Sequence, residues 1–204
     1  MQIAVLTFDR FNELDSFVVA ALLNRLAPQG WRAWITAPTD RVVSKNGVAV
    51  EAQRPLEFAA EADAVVVGSG MATDVVAEDP TMLARMPLDP ARQLIASQCS
   101  GALVLKAMGL LDGVPVCTDT FTWPLMTKLG ANISDRPFLA HGNVATAGGC
   151  LASQYIATWL IGRRLGLDQA AAVIEAAAPV GEKRDYVDRA LAAVRGFVPV
   201  PMVA

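Results

Sequence analysis

The sequence predicts a single α/β domain in which a mostly parallel sheet carries helices on both faces. Short, almost continuously apolar runs alternate along the chain with longer segments of helical periodicity, and this alternation is typical of βα units. The first run, residues 3–8, lacks the polar alternation of a half-exposed strand, so we expect it in the interior of the sheet. At 204 residues the chain is long enough for one hydrophobic core and short for two, and the predicted domain spans residues 1–204.

The individual elements follow from the same patterns. Asn12 precedes a helical pattern that ends near residues 28–30, and a second strand is predicted at 31–37. Residues 41–50 are predicted to form a hairpin at an edge, because Asn46-Gly47 supplies the positive φ angles of a tight turn. The further predicted elements are, in chain order, strands at 64–67 and 94–96, a helix at 101–108, a strand at 115–118, a helix at 123–129, a turn at 141–143, a strand at 144–146, a helix at 151–165, and an Ala-rich helix that is capped by Asp168 and ends before Pro179.

Charge and apolar patterning exclude two kinds of partner. The 17 Lys and Arg residues nearly balance the 20 Asp and Glu residues, and they are scattered rather than gathered into the stripe that a phosphate backbone requires. We therefore expect no nucleic-acid partner. An uncharged stretch at residues 137–162 contains His141 and several glycines and polar residues, so it predicts a turn, a strand and a buried helix, and we expect no membrane span.

The three cysteines bear on the cellular compartment. Cys99, Cys117 and Cys150 cannot all pair, and a domain of this size does not need disulfides. The N-terminal run also lacks the charged start and the apolar length of a signal peptide. We expect free thiols in a cytoplasmic protein, with Cys117, on a predicted strand, belonging to the core.

The segment at residues 94–103 has the layout of a nucleophile elbow. An apolar strand ends at Cys99, and a helix opened by small residues follows at once, as around the serine of many hydrolases. A side chain here projects at the carboxyl end of the sheet, where open α/β folds bind ligands, and the helix N-terminus favours a thiolate. We expect Cys99 to be the most reactive thiol of the chain. The alternative is a buried structural cysteine, the commoner fate of a free Cys.

The same segment resembles a known family. Residues 96–103, Ala-Ser-Gln-Cys-Ser-Gly-Ala-Leu, are followed by Ala-Met-Gly-Leu-Leu-Asp-Gly at 107–113, and together they are similar to the nucleophile segment of the ThiJ/PfpI superfamily. The resemblance extends to the acidic helix start at 11–15 and to the glycine turns at 68–70 and 147–149. It implies a flavodoxin-like three-layer sandwich, related to class I glutamine amidotransferases, with the cysteine on a strained elbow.

Asp15 has two interpretations. As the third residue of a helix capped by Asn12, its carboxylate can complete a capping box and interact with the positive end of the helix dipole. It also shares a helical face with apolar residues at 18, 19 and 22, and such surroundings would raise its pKa until it holds a proton near neutrality. The Leu14-Asp15 pair most resembles the isocyanide hydratase branch of the superfamily, which implies that Asp15 is the catalytic acid beside the cysteine. Glu13 is the second candidate acid.

The histidine that many cysteine hydrolases use as a base is absent from the motif. Protease-like members of the superfamily carry histidine directly after the nucleophile, where this chain has Ser100. His141, the single histidine, falls in a predicted exposed turn. Hydratase-like relatives tend to have Thr-Thr-His-Trp where this chain has Cys-Thr-Asp-Thr at 117–120, so Asp119 stands in place of a histidine. The resemblance therefore leaves the substrate open.

Several further residues are predicted to line the pocket. Ser69 and Gly70 would offer backbone N–H groups to developing charge, although Gly-Ser-Gly is also an ordinary tight turn. Ser100 would supply a hydroxyl or an amide, or would simply cap the helix. Gly149 and Cys150 would face the pocket. We expect no metal site, because three cysteines without a neighbouring histidine make no plausible zinc site.

These residues favour a cofactor-free lyase or hydratase acting on a small-molecule electrophile. Cys99 would attack an electrophilic carbon, Asp15 would pass a proton, and water would complete the conversion of an isocyanide to an N-substituted formamide. A glyoxalase, deglycase or amidase acting on small carbonyl compounds would use the same thiolate. A third hypothesis is not enzymatic: a redox-sensing or stress-response protein in which Cys99 is oxidised reversibly.

A homodimer is also expected, since relatives of this fold usually pair. The chain has more apolar material than one small domain readily hides, namely Phe17, Val18, Val19, Trp31, Trp34 and the tail at 197–203. For the tail, the alternative is that it folds back on its own domain.

Overall fold

A computed structural model of the protein describes residues 1–199. Eleven strands occur within this range: β1 (Gln2–Leu6), β2 (Arg32–Ala37), β3 (Arg41–Val43), β4 (Ala49–Glu51), β5 (Arg54–Pro55), β6 (Ala64–Val67), β7 (Leu94–Gln98), β8 (Pro115–Val116), β9 (Asn132–Ile133), β10 (Phe138–His141) and β11 (Val144–Ala147). The helices in the same range are α1 (Glu13–Asn24), α2 (Thr73–Glu78), α3 (Pro80–Ala84), α4 (Gly101–Ala107), α5 (Trp123–Lys128), α6 (Ser153–Leu165), α7 (Leu167–Ala177) and α8 (Lys183–Val194). Short 3₁₀ turns lie at Ala27–Gln29, Leu56–Ala60, Cys150–Ala152 and Arg195–Phe197.

Seven strands form the central sheet in the order β10-β11-β7-β6-β1-β2-β5. All neighbouring pairs are parallel except β10 with β11, which form an antiparallel hairpin at one edge. The mostly parallel sheet and the interior position of β1 confirm the predicted α/β class.

Two apolar layers cover the two faces of the sheet. In β1 the side chains alternate, since Ile3 and Val5 belong to one buried cluster and Ala4 and Leu6 to the other, as the period of a strand dictates. The first cluster packs the sheet against α1, α6, α7 and α8, and the second packs it against α2, α4 and α5. The result is the expected three-layer sandwich.

Three local expectations were wrong. The hairpin at 41–50 forms, but β3 and β4 make a separate two-stranded sheet, and the short β5 takes the edge position beside β2. The strand predicted at 115–118 is only two residues long and pairs with β9 outside the main sheet. Asp168 does not cap the Ala-rich helix, because α7 starts one residue before it and Gly166 holds the N-cap position.

Part of the apolar material that suggested a dimer is covered by the chain itself. Val19 and Trp31 are buried in the core, and Phe197 contacts the ring of Phe138 edge-on, with centroids 5.8 Å apart. The beginning of the tail therefore folds back on its own domain, and residues 200–203 lie outside the described range. Among the described residues, we find no helix with the length and apolar character needed to cross a membrane.

Candidate active site

Four consecutive strands of the sheet, β11, β7, β6 and β1, end at the same edge. Because they are parallel, the segments that follow their carboxyl ends come together there. Those segments carry the site residues predicted from the sequence: Asp15 after β1, Ser69 and Gly70 after β6, Cys99 and Ser100 after β7, and Gly149 and Cys150 after β11.

Cys99 has the strained backbone expected of a nucleophile elbow. Its φ angle is +48°, in the left-handed region that a side chain disfavours. The conformation is held by three hydrogen bonds: the Cys99 N–H donates to the Ala147 carbonyl at 2.8 Å, and the Cys99 carbonyl accepts from Thr118 Oγ1 at 2.9 Å and from the Ala102 N–H at 3.2 Å. The elbow ties β7 to β11 and to the loop after β8.

Glycine is required directly after the elbow. A Cβ at Gly101 would lie 2.4 Å from the Val67 carbonyl oxygen, closer than any real contact, so only glycine lets α4 begin against the end of β6. This close approach positions Cys99 beside the turn that contains Ser69 and Gly70.

Asp15 is completely buried and is not a helix cap. Asn12 caps α1 and accepts a hydrogen bond from the Leu14 N–H, while the Asn12 N–H donates to the Ser69 carbonyl at 2.8 Å. A capping box would need that N–H for the Asp15 carboxylate, so the box does not form. Instead, the Ser69 hydroxyl donates to Asp15 Oδ2, and Asp15 Oδ1 has no hydrogen-bond partner among the described residues.

Asp15, Cys99 and Cys150 form one cluster of reactive groups. A carboxylate oxygen and the two sulfur atoms all lie within 4.8 Å of one another. Asn12 Nδ2 donates to Cys150 Sγ at 2.9 Å, and Gln98 Nε2 lies 3.7 Å from Cys99 Sγ. The cluster combines a nucleophile, an acid and a second thiol; the two cysteines line one cleft, and the fully buried Asp15 adjoins them.

The same three residues could offer ligands to a soft metal ion. Two thiolates and a carboxylate are donors that zinc accepts, although a structural site takes four protein ligands. The expectation of no metal site counted only cysteine and histidine, and it missed the carboxylate because Asp15 is 84 positions away from Cys99 in the sequence.

Burial controls the ionisation of the cluster. It raises the pKa of Asp15, and the Ser69 hydroxyl, which favours the charged form, only partly offsets this effect. Burial and the neighbouring Asp15 charge raise the pKa of Cys99, and burial also raises that of Cys150. The helix N-terminus was expected to favour a thiolate at Cys99, whereas burial and the Asp15 charge both favour the neutral thiol. The cluster accommodates a single negative charge more easily than two.

Ser100 links the two turns instead of capping α4. Its side chain makes no capping hydrogen bond. The Ser100 hydroxyl lies 3.3 Å from the Gly70 carbonyl and 3.1 Å from Thr73 Oγ1, and it accepts a long hydrogen bond of 3.3 Å from the Gly70 N–H. The Gly70 amide predicted for an oxyanion hole is thus partly satisfied already.

A cleft of about 960 Å³ opens over the cluster. Its base is polar and includes Cys99 and Cys150, whereas exposed apolar side chains stand at its wall: Met71, Leu125 and Phe121, which is 95% exposed. The cleft is large enough for a small molecule with an apolar substituent. Asp119 also lines it, but its carboxylate accepts hydrogen bonds from the Phe121 and Thr122 N–H groups and from the Thr122 hydroxyl, so it caps the turn before α5.

The remaining candidates lie away from the cluster. His141 is exposed at the end of β10, with Nε2 3.0 Å from the Pro115 carbonyl, and it does not line the cleft. Glu13 hydrogen-bonds the β3-β4 hairpin through Ser44 and Asn46, and the Ser44 hydroxyl lowers its pKa. Cys117 is buried in the core, where burial raises its pKa to about 12.

Two contributors to the site were missed from the sequence. Asn12 was treated only as a cap, yet its amide reaches Cys150 across 138 positions. Gln98 precedes the elbow and donates to the Gly149 carbonyl at 2.8 Å, which joins the β7 and β11 turns. The one available signal was position, since a polar residue at the end of a buried strand faces the carboxyl edge of the sheet.

The chain is similar in sequence to known proteins. A model of the DJ-1/PfpI family matches residues 1–161. An isonitrile hydratase from Pseudomonas putida is 28% identical over 176 residues, which are 83% of this chain and 75% of that protein.

Solved structures show the same fold. Schizosaccharomyces pombe DJ-1 has a TM-score of 0.74 at 14% identity, and the match covers 88% of this chain and 100% of that one. Oxidized Toxoplasma gondii DJ-1 has a TM-score of 0.73 at 20% identity, with coverage of 86% and 97%. The flavodoxin-like architecture and the family resemblance are both confirmed: with a family model that matches most of its length, the chain belongs to the DJ-1/PfpI family.

Proposed function

We propose that this protein is a cofactor-free hydratase that converts an isocyanide to an N-substituted formamide, with Cys99 as nucleophile and Asp15 as acid and base. The observation that carries the proposal is the fully buried Asp15 carboxyl, with an unpartnered oxygen, clustered with the Cys99 thiol. The single histidine lies outside the cleft, and Asp15 is the carboxyl clustered with the Cys99 thiol, so we assign proton transfer to Asp15. The likeness to an isonitrile hydratase supports the same substrate class.

The first half of the reaction adds the Cys99 sulfur and its proton to the isocyanide carbon. Asp15 accepts the proton of the Cys99 thiol, and the thiolate attacks the terminal carbon of the isocyanide. The protonated Asp15 then returns its proton to that carbon, which gives an enzyme-bound thioimidate. Because burial raises the pKa of Asp15, the carboxyl holds this proton until it is transferred to the carbon.

The second half uses one water molecule. Asp15 removes a proton from the water molecule while the water oxygen attacks the thioimidate carbon. Asp15 then delivers that proton to the thioimidate nitrogen. The tetrahedral intermediate then expels the Cys99 sulfur, its hydroxyl proton passes through Asp15 back to that sulfur, and the formamide is released. The sum is one isocyanide plus one water to one formamide, with the enzyme unchanged and no oxidation or reduction.

Two N–H groups near the nucleophile are already hydrogen-bonded. Attack on a carbonyl develops an alkoxide that needs free N–H donors, whereas thioimidate formation develops none. The Gly70 N–H already donates to Ser100 Oγ, and the Cys99 N–H to Ala147. A glyoxalase, deglycase or amidase that used the Gly70 N–H would have to replace its hydrogen bond to Ser100 Oγ.

A substrate panel tests the proposal. Alkyl isocyanides, glyoxals and peptide amides are incubated with the native chain, Cys99→Ala and the control Cys117→Ala, which removes a buried thiol outside the cleft. We expect formamide from isocyanides with the native chain and the control, and none with Cys99→Ala. Turnover of glyoxals or amides without isocyanide hydration would overturn the assignment, and so would formamide production by Cys99→Ala.

We also infer a cytoplasmic homodimer. Three free cysteines suit a reducing compartment. Helix α1 presents Leu14, which is 48% exposed, next to the half-buried Val18. If this surface pairs, contacts between subunits would hold α1, and with it Asp15, rigidly against the nucleophile.

A further inference from the structure

Cys150 brings a second thiol to the nucleophile. Its sulfur and that of Cys99 lie within 4.8 Å of each other, whereas a disulfide needs about 2.05 Å. Both residues sit on turns, Cys99 at the elbow and Cys150 at the start of the 3₁₀ turn after Gly149. Rotation about the two Cα–Cβ bonds is the movement available to close the gap.

We propose that Cys150 is a resolving cysteine: a peroxide oxidises Cys99, and Cys150 then closes a reversible disulfide with it. The proposal goes beyond the hydration chemistry, because it concerns the same nucleophile but requires no substrate and no turnover.

The oxidation balances in two steps. The Cys99 sulfur attacks one oxygen of a peroxide ROOH, the O–O bond breaks, and an alcohol leaves, so that Cys99 becomes a sulfenic acid. The Cys150 sulfur then attacks Cys99 Sγ, the S–O bond breaks, and water leaves. Two thiols have lost two electrons and two protons, and the peroxide has been reduced to one alcohol and one water.

Neighbouring groups assist the second step. Asn12 Nδ2 donates to Cys150 Sγ at 2.9 Å, which favours the thiolate form of the attacking sulfur. Asp15, in the same cluster, accepts the Cys150 proton and delivers it to the leaving hydroxide. Cys150 is also partly exposed to the cleft, so its reaction does not require the core to open.

Cys117 cannot replace Cys150. Cys117 is fully buried, and its backbone N–H donates a hydrogen bond to Thr146 Oγ1 on β11. It is absent from the cluster of Asp15, Cys99 and Cys150. A disulfide between the two clustered cysteines would occupy the nucleophile and protect it from irreversible oxidation to the sulfinic and sulfonic acids.

Intact-mass and peptide mass spectrometry test the proposal without substrate. The full chain is treated with about five molar equivalents of hydrogen peroxide, enough for sulfonic acid formation, and compared with Cys150→Ser, Cys150→Ala and the matched control Cys117→Ser. We expect the native chain and Cys117→Ser to lose two hydrogens and to give a Cys99–Cys150 cross-linked peptide that dithiothreitol releases. Both Cys150 variants should instead gain two or three oxygens on Cys99, which dithiothreitol does not remove.

Either of two results would overturn the proposal: sulfinic acid on Cys99 of the native chain as readily as in the Cys150 variants, or a disulfide that involves Cys117 or joins two chains. Because the readout is mass, failure of isocyanide hydration leaves this test intact. Conversely, absence of the disulfide does not affect the hydratase assay under reducing conditions.

Discussion

The Ser69 hydroxyl donates to Asp15 Oδ2, joining the turn after β6 to the first helix. The donation stabilises the charged carboxylate, while complete burial of Asp15 destabilises it and has the larger effect. Ser69 was predicted to act through its backbone amide, yet its side chain makes the contact that tunes the acid. The pH at which Asp15 can accept a proton from Cys99 therefore depends on this hydroxyl.

Replacing Ser69 by alanine tests that dependence. Ser69→Ala removes the donor, so the pKa of Asp15 should rise further and the acidic limb of the kcat profile should move to higher pH. The control is Ser97→Ala, because Ser97 is also buried but its hydroxyl has no hydrogen-bond partner among the described residues. An unchanged limb in Ser69→Ala would exclude Asp15 as the group that controls the rate.

Asp15→Asn should abolish most of the turnover while preserving the fold. Asparagine keeps the shape of the side chain and removes the exchangeable proton, and loss of a general acid or base typically lowers the rate by about 10²- to 10⁴-fold. Glu13→Gln is the matched control, since it removes a carboxylate two positions away that bonds the hairpin and does not line the cleft. Equal activity in the two variants would leave Asp15 without a catalytic role.

The elbow and the sheet were predictable because they depend on local pattern. An apolar strand followed by Cys99 and small residues encodes both strand end and helix start, and the apolar run of β1 encodes burial on two faces. The ionisation of the thiol was not predictable from the same segment. It depends on Asp15, which the sheet order brings from 84 positions away, and on burial that no local pattern reveals.

Neighbouring backbone groups determine how two aspartates, Asp168 and Asp119, are used. Asp168 is a good capping residue, but Gly166 adopts φ +90° and starts α7 earlier. Asp119 stands at the position of a family histidine, yet its carboxylate is used by the N–H groups of its own turn. Each aspartate could in principle serve the function suggested by its position. The conformation and the N–H groups of the neighbouring backbone determine what its side chain does in the structure.

Cys117 should make the protein less stable at alkaline pH. Its folded pKa of about 12 lies above the value of about 8.5 for an unfolded thiol. The contribution to stability is therefore complete below about pH 8.5 and is lost as pH rises toward 12, at up to about 1.4 kcal/mol per pH unit. Cys117→Ala should reduce the slope of unfolding free energy between neutral and alkaline pH, as measured by urea titration.

Val116→Ala provides the comparison for that experiment. Val116 is fully buried next to Cys117 and does not titrate, so the variant loses stability by a similar cavity effect. Its slope against pH should match that of the native chain. Parallel slopes for all three proteins would show that Cys117 titrates alike in the folded and unfolded states.

Helix α1 should form the dimer interface. Leu14 is 48% exposed one residue before the fully buried Asp15, so a partner covering Leu14 would also restrain the acid. Sedimentation equilibrium at micromolar concentration should give twice the chain mass of 21.6 kDa.

Leu14→Glu would place an unpaired charge in the interface and should weaken the dimer by about tenfold or more, which corresponds to about 1.4 kcal/mol. The control is Leu165→Glu, at a similarly exposed leucine that ends α6. A native mass near 21.6 kDa refutes the dimer, and dissociation by Leu165→Glu but not by Leu14→Glu would move the interface from α1 to the end of α6.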